Sequence, residues 1–431
     1  MSREPDPSTT DLSASQPIPP EPSVDRRNVL LFMWNPIVWN GALSIISPVT
    51  IMPLFVSLLT TSTVLVGAVA AFFDGAWSLT QLAGARHFER LQYKRKRMVV
   101  MSMCARSALV FYGVLIVYGG AANRSLTLVL FFAAILLFRS GTGLSSPAYA
   151  DVFAKVVPAR VRGRVIGAGQ AMGVLVGAVG VSVATRLLGD SPAARDFGPM
   201  FILAGSVLVG GYAALLLVRE PPSELPDRPS EPIWKIAGTL ARVFGGDPSF
   251  RRYVSGRIVV GWGMMGFTLV SVYSARELGG SLSQIGVFTS VMLLVQIGSL
   301  TGWGYLQDRI GSRRTPVLGA LVGMLATLLA ALAPSADYLY GTFALMGIAL
   351  SAFAVSDFSV AIEAAPRAEL SSYWAAFNTA TFPLLMPAAV VAGLIVDVAG
   401  FRAMFATALA FAAVGCVLLA RAFAPRQGAR R

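Results

Sequence analysis

From Val29 onward the chain reads as long apolar stretches separated by short polar punctuation. A helix needs about 20 apolar residues to cross roughly 30 Å of hydrocarbon. Stretches of that kind recur at 29–58, 63–85, 98–118, 125–150, 165–188, 199–218, 253–275, 282–306, 315–332, 338–364, 371–396 and 401–421, which predicts twelve spanning helices. Pro36, Pro48, Pro53, Pro147, Pro383 and Pro387 fall inside them, and proline is tolerated in membrane helices more than in soluble ones. The pattern breaks in two places. Residues 1–28 carry Pro5, Pro7, Pro17, Pro19, Pro20 and Pro22 among Ser, Thr and acids; they read as a disordered tail, because no short apolar region with a cleavage site follows. Residues 219–252 separate the first six spans from the last six, with Pro221, Pro222, Pro226, Pro229 and Pro232 followed by an amphipathic run at 233–244. That run predicts a short helix lying in the membrane interface. The expected organisation is a tail (1–28), a six-helix half (29–218), a linker (219–252), a second six-helix half (253–421) and a basic tail (422–431).

Charge adds an orientation. Of the 35 Lys and Arg, one set of alternate loops holds only Arg124, Arg195, Arg276 and Arg402, and the spans hold Arg106, Arg139, Arg186 and Arg257. The rest lie in the tails and in 86–97, 151–164, 219–252, 307–314 and 365–370. Positive residues gather on the cytoplasmic side, so both termini are expected inside a cell membrane. Composition excludes other classes. The 431 residues are 55% hydrophobic and 13% charged, with a net charge of +13 and a mean hydropathy of +0.66, against about 25% charged in a typical soluble domain. An ordinary cytosolic enzyme and a nucleic-acid binder, whose basic residues need a solvated face, both fit poorly. Cys104, Cys416 and His87 are the complete stock of those residue types, too few for a disulfide framework or a metal site. No GxxxxGK[ST] is present, and Gly167–Gly173 follows no strand, so neither a nucleotide nor any other cofactor is expected. No nucleophile–base constellation suggests an enzyme.

The two halves share punctuation, the mark of an internal repeat. Gly304-Tyr-Leu-Gln-Asp308-Arg309-Ile-Gly311-Ser-Arg313-Arg314 stands between spans 8 and 9, and Glu89-Arg90-Leu-Gln92-Tyr-Lys94-Arg95 aligns with it between spans 2 and 3. Pro158-Ala-Arg160 likewise has its counterpart in Pro366-Arg367-Ala. These loops resemble those of the major facilitator superfamily, whose pattern of Gly, Asp-Arg, Gly and two basic residues is matched by the second copy. The first copy has Glu89 for the Asp and Gln92 for the second Gly. Arg139-Ser-Gly141-Thr-Gly143 is similar to the family's fourth-span pattern. Gly173-Val-Leu-Val-Gly177 lacks the Gly-Pro of its drug–proton antiporters, so no subgroup is identified. The resemblance implies an all-α polytopic membrane protein, twelve transmembrane helices in two pseudo-symmetric six-helix halves, and secondary transport of a small solute by alternating access.

Particular residues receive roles within that frame. A charge at mid-bilayer costs at least about 2.5–3.5 kcal/mol on insertion scales, so Asp74 in span 2 and Arg139 in span 4 are expected to face a cavity or each other. Arg139 is the candidate for an anionic substrate group and Asp74 for a coupling proton. Arg106 is expected to support packing or to snorkel to the cytoplasmic side, and Arg186 and Arg257 to snorkel to the interface; Asp357 lies nearer the mouth. The family's pathway spans point to Asn35, Trp39, Asn40 and Trp262 as cavity lining, with Trp34 equally suited to an interfacial belt. Gly169, Gly173 and Gly177 form a packing ladder. At the cytoplasmic mouth Arg90 is expected to clasp Asp151, and Arg309 to clasp Glu363, with Asp308 near a helix N-terminus. Lys94–Arg97 read as topology signals. The expected partners are a small molecule, protons and lipid, with no requirement for an oligomer. Proton-coupled efflux of amphipathic compounds is the favoured activity; a sugar or organic-anion permease and a non-transporting sensor are the alternatives.

Overall fold

The computed structural model describes residues 25–89, 91–119, 123–189, 192–222, 238, 244–364 and 370–422, and every regular element among them is helical. Span 1 is two pieces, Arg26–Ile45 and Ile51–Leu59, broken around Pro48. Spans 2 to 6 are Thr63–Glu89, Arg95–Gly119, Arg124–Val156, Ala159–Leu188 and Gly198–Ala213. Span 7 is also split, into Pro248–Gly263 and Val270–Glu277, and spans 8 to 10 are Leu282–Ile310, Thr315–Ala331 and Leu339–Ala364. Spans 11 and 12 form one run, Leu370–Ala422, that turns at Gly400. Its φ of 81° lies in the left-handed region, which a side chain would strain. The twelve-span expectation therefore holds, with small shifts. The first helix starts at Arg26 and the seventh at Pro248, inside segments expected to be tail and linker. The interfacial helix expected at 233–244 lies, but for Gly238 and Phe244, outside the described residues.

The packing repeats between halves. In the first, span 1 lies on span 5, span 2 on span 4 and span 3 on span 6; in the second, span 7 lies on the 370–422 run, span 8 on span 10 and span 9 on that same run. The ladder in span 5 is what brings span 1 close. A Cβ on Gly169 or Gly173 would collide with the backbone of Met33 or Pro36, and one on Gly177 with Ser44. Small residues allow such backbone approach, and packing rather than hydrophobicity drives helix association in lipid.

The two halves meet where span 2 crosses the 370–422 run and where span 5 crosses span 8. Their polar contacts gather at the face opposite the chain ends. Thr289 donates to Thr50 Oγ1 at 2.8 Å, and Ser271 donates to the Thr50 carbonyl at 3.3 Å. Ser290 donates to the Ala178 carbonyl at 2.6 Å and lies 2.7 Å from the Ser182 hydroxyl. Two charged side chains of the second half complete the closure by binding helix ends of the first. The Asp397 carboxylate accepts from the Thr63 amide at 2.8 Å, the Thr63 hydroxyl at 2.6 Å, the Ser62 hydroxyl at 3.0 Å and the Val64 amide at 3.3 Å, at the N-terminus of span 2. Arg276 donates to the carbonyls of Ser57, Thr60 and Thr61 at 3.3, 2.9 and 3.1 Å, where Ile51–Leu59 ends. An anion thus meets a positive helix end and a cation a negative one, the favourable sense of both helix dipoles. Toward the face carrying the chain ends, spans 5 and 8 diverge around a cavity of about 420 Å³ lined by Gly167, Val174, Leu293 and Leu300 among others.

Asp397→Ala removes an N-terminal cap, an interaction worth about 0.5–2 kcal/mol. In a Cys104→Ser/Cys416→Ala background, a thiol-specific cross-linker should join Ser182→Cys to Ser290→Cys readily. Adding Asp397→Ala should lower that yield several-fold, and an unchanged yield would remove Asp397 from closure.

Candidate functional site

Helical periodicity builds the site. Arg139, Thr142, Ser146 and Tyr149 recur every three or four residues and so share one face of span 4. Asn35, Pro36, Trp39 and Asn40 do the same on span 1. With Trp77 of span 2, Arg106 of span 3, Ser145, Gln170 of span 5 and Tyr212 of span 6, they line a cavity of about 510 Å³ within the first half. That size lies in the range of small-molecule sites, about 300–1,000 Å³. Asn40 and Gln170 also line the 420 Å³ cavity between the halves. Asn35, Trp39, Asn40 and Arg139 are thus brought together as expected from the sequence.

Arg139 is only 4% exposed. Its Nε donates to the Phe73 carbonyl at 2.7 Å, and its guanidinium lies 3.9 Å over the Phe73 ring. One terminal nitrogen stands 3.4 Å from Asp74 Oδ1, a long ion pair whose carboxylate side is 55% exposed. Asp74 therefore sits at the edge of the site, beside the arginine. Arg106, expected to serve packing or to snorkel, is instead a second buried cation of the cavity wall, also 4% exposed. It donates to the Ser102 carbonyl at 3.2 Å and to the Ser102 hydroxyl, lies 3.9 Å over the Tyr212 ring, and its Nε has no hydrogen-bond partner. Trp39 stands between the two cations, its ring centroid 5.6 Å from Arg106 and 5.7 Å from Arg139.

Other expectations are corrected. Trp262 donates its indole N–H to the Leu384 carbonyl at 3.0 Å and packs on Phe411, so it ties span 7 to the 370–422 run and lines neither of these two cavities. Arg257 does not snorkel. Its Nε lies 3.2 and 3.1 Å from the two oxygens of Asp357, which also accepts from the Tyr253 hydroxyl at 2.5 Å, and its guanidinium stacks 4.1 Å over Phe353. The second half thus neutralises its cation with a carboxylate gripped from two directions.

At the face carrying the chain ends, Arg90 and the Glu89 side chain lie outside the described residues. Asp151 is held by Lys94 and Lys155, each at 2.7 Å. Lys94, which reads in the sequence as a topology signal, is therefore a structural partner. Glu220, which sequence reasoning missed, accepts from the amides of Lys94 and Arg95 at 3.0 and 2.8 Å and so caps the start of span 3. Among the described residues Arg309 makes no ion pair with Glu363, whose carboxylate takes the Ser312 hydroxyl at 2.5 Å instead. Asp308 and Arg309 are exposed in the last turn of span 8, so Asp308 is at a C-terminus rather than the expected N-terminus. Gly311, with φ 90°, ends that helix, Gly304 has open space around it, and Arg313 lies exposed on the turn that follows.

Sequence reasoning also missed Tyr149 and Tyr212, although the spacing of Arg139, Thr142, Ser146 and Tyr149 carried a usable signal for the first. Nothing local in the sequence aims Tyr212 of span 6 at Arg106 of span 3.

Residues 254–431 match the sequence profile described as Major Facilitator Superfamily. Two mycobacterial proteins, Uncharacterized protein Rv2209 of Mycobacterium tuberculosis and Uncharacterized protein Mb2232 of Mycobacterium bovis, are each 27% identical over 221 residues. Those residues are 49% of this chain and 42% of each relative, so the likeness takes in less than half the length of the curated relatives. Among solved structures, a mutant form of the nucleoside transporter NupG superposes with a TM-score of 0.69 at 11% identity, over 93% of this chain and 99% of its own. A D-xylose-proton symporter gives 0.68 at 15% identity, over 92% and 97%. A bacterial homolog of the human lysosomal transporter Spinster, inward-facing and unoccupied, gives 0.65 at 15% identity, over 92% and 95%. At these identities the likeness is one of fold.

Breaking a buried ion pair by removing one partner costs about 3–5 kcal/mol, whereas replacing both with apolar groups is often close to neutral. Asp357→Leu alone should therefore lower the unfolding temperature in detergent markedly, and Arg257→Met/Asp357→Leu should recover most of the loss. Equal losses in the single and double variants would show that the pair is not the source of the stability.

Proposed function

We propose, for a chain that has the Major Facilitator Superfamily fold throughout its described length and matches that family in sequence over residues 254–431, that it carries a small solute across a membrane by alternating access. One observation carries this reading: a cavity of about 510 Å³, walled by aromatic rings with two arginines, amides and hydroxyls among them, adjoins a second cavity between the halves, while hydrogen bonds between the halves shut the opposite face. Such an asymmetry is one of the two states an alternating carrier requires. The other follows if the halves rock about the crossings of spans 2 and 5, exchanging the closed face for the open one. With the chain ends on the cytoplasmic side of a cell membrane, as the Lys and Arg distribution implies, this state opens inward.

Asp74 is the coupling residue in this reading. Its carboxylate faces Arg139 of span 4 across 3.4 Å, with the Phe73 carbonyl already occupied by the same arginine. A proton on Asp74 would leave Arg139 without its carboxylate and raise the charge of the cavity wall by one. Solute binding and proton binding would then be linked through a shared cation. The lining supports a permease of polar or amphipathic solutes more than export of apolar ones, because two buried guanidinium groups, three amides and several hydroxyls border the space.

The test is flux into proteoliposomes containing the purified full chain, with and without a pH gradient, across a panel of metabolites. Asp74→Asn should abolish uphill accumulation while downhill exchange persists. Uphill transport retained in the variant would remove Asp74 from coupling, and absence of flux for every compound with a correctly folded protein would favour the sensor.

A further inference from the structure

The first-half cavity holds a charge imbalance that the fold does not resolve. Thirteen described residues line it, two of them arginines, and none is an aspartate or glutamate. Arg139 has its own compensation in Asp74 and the Phe73 carbonyl. Among the described residues Arg106 has only neutral partners, the carbonyl and hydroxyl of Ser102, and an Nε without any. A guanidinium cannot escape by losing its proton, because arginine stays charged in proteins. The Tyr212 ring beneath it offers a cation–π contact, which falls well short of offsetting what burial of a charge costs. The second half shows what full compensation looks like here: Arg257 has the same aromatic stacking and in addition a carboxylate held by two partners. Arg106 has the stacking and lacks the carboxylate.

We propose that the carboxylate missing from Arg106 is supplied by the ligand: the cavity binds an organic monoanion with a flat apolar body, its acid head on Arg106. This rests on the reading of the cavity as a solute site and adds the chemical class of the solute. The planar fork of a guanidinium matches a carboxylate in two parallel hydrogen bonds. The Nε of Arg106 is enclosed and has no partner, and its hydrogen bonds all leave from one terminal nitrogen, so the guanidinium keeps donor capacity for such a head. Trp39 flanks both arginines and Trp77 lies 5.6 Å from the Arg139 guanidinium, so aromatic surface borders the space next to the cations. A ring attached to the acid would meet those faces, and rings prefer the offset or edge contacts such walls allow. Asn40 and Gln170, at the border of the inter-half cavity, are left for polar groups at the far end of the ligand. Arg139, already engaged, becomes a second donor to the anion only when Asp74 releases it. A cationic solute is disfavoured by the same wall.

The experiment is isothermal titration of the full chain, purified in detergent, with 2-naphthoate, benzoate and 4-hydroxybenzoate, each beside its neutral amide. The acids should bind at least tenfold more tightly than their amides. Arg106→Gln should lose at least tenfold for the acids and leave the amides unchanged, and Arg106→Lys should recover part of the loss. Equal affinity for acid and amide, failure of all three acids to bind, or unaltered acid binding in Arg106→Gln would each overturn the assignment. The acid-to-amide ratio in the unaltered chain decides the matter even if the variants do not fold. Proteoliposome flux separates this inference from the one beneath it. Preferential acid binding without flux would keep the anion site and defeat transport, whereas flux of neutral or cationic solutes with no preference for acids would do the reverse.

Discussion

A buried guanidinium in a helix bundle must find its counter-charge within the bundle, because hydrocarbon offers none. That constraint organises most of what is distinctive in this molecule. Arg257 satisfies it through Asp357, itself fixed by Tyr253. Arg139 satisfies it partly, through a carboxylate at 3.4 Å. Arg106 meets it with hydroxyl, carbonyl and ring alone. The three form a graded series, from a closed structural pair to a cation that waits. The gradation follows the geometry, since the two less satisfied arginines border the cavity and the most satisfied one does not.

The same economy appears at the closed face. The second half holds the first through apolar contact, Ile51, Met52, Val66 and Val69 sharing one buried cluster with Leu269, Ile285 and Phe288, and the ends of two helices add unpaired amides and carbonyls. Asp397 takes the amides and Arg276 the carbonyls. Contacts of this kind can be exchanged for water at modest cost, whereas interdigitated apolar packing resists separation. The Thr50, Ser182, Thr289 and Ser290 hydroxyls add exchangeable bonds of this kind beside the apolar core.

Much of the architecture is legible along the chain. Apolar length gives the twelve spans, and loop charge together with the Asp308-Arg309 repeat gives two halves and a family resemblance. The span 5 glycine ladder reads as packing and is packing. Membrane depth is also legible, which is why Arg139 and Asp74 stand out. What depth does not give is the direction in which a side chain points. Position along a helix assigns Arg106 to packing or snorkelling and Arg257 to snorkelling. Their true surroundings depend on the rotation of spans 3 and 7 and on which neighbours stand opposite. The partner that Trp262 takes, the Leu384 carbonyl, is likewise something a family-level statement about spans 1 and 7 does not name. The mouth clasp of the second half fails differently, because a short charged loop contains several polar groups within reach of one acid. Ser312, rather than Arg309, reaches Glu363.

Asn40 and Gln170 border both cavities. The two spaces are therefore adjoining rooms with a common wall, and a molecule whose head is anchored among the arginines can extend past that wall without displacing either half. Discrimination in such an arrangement falls on the anchored end. The length and substitution of the remainder are left free, so compounds sharing one head group and differing in the size of what trails behind it would be handled alike.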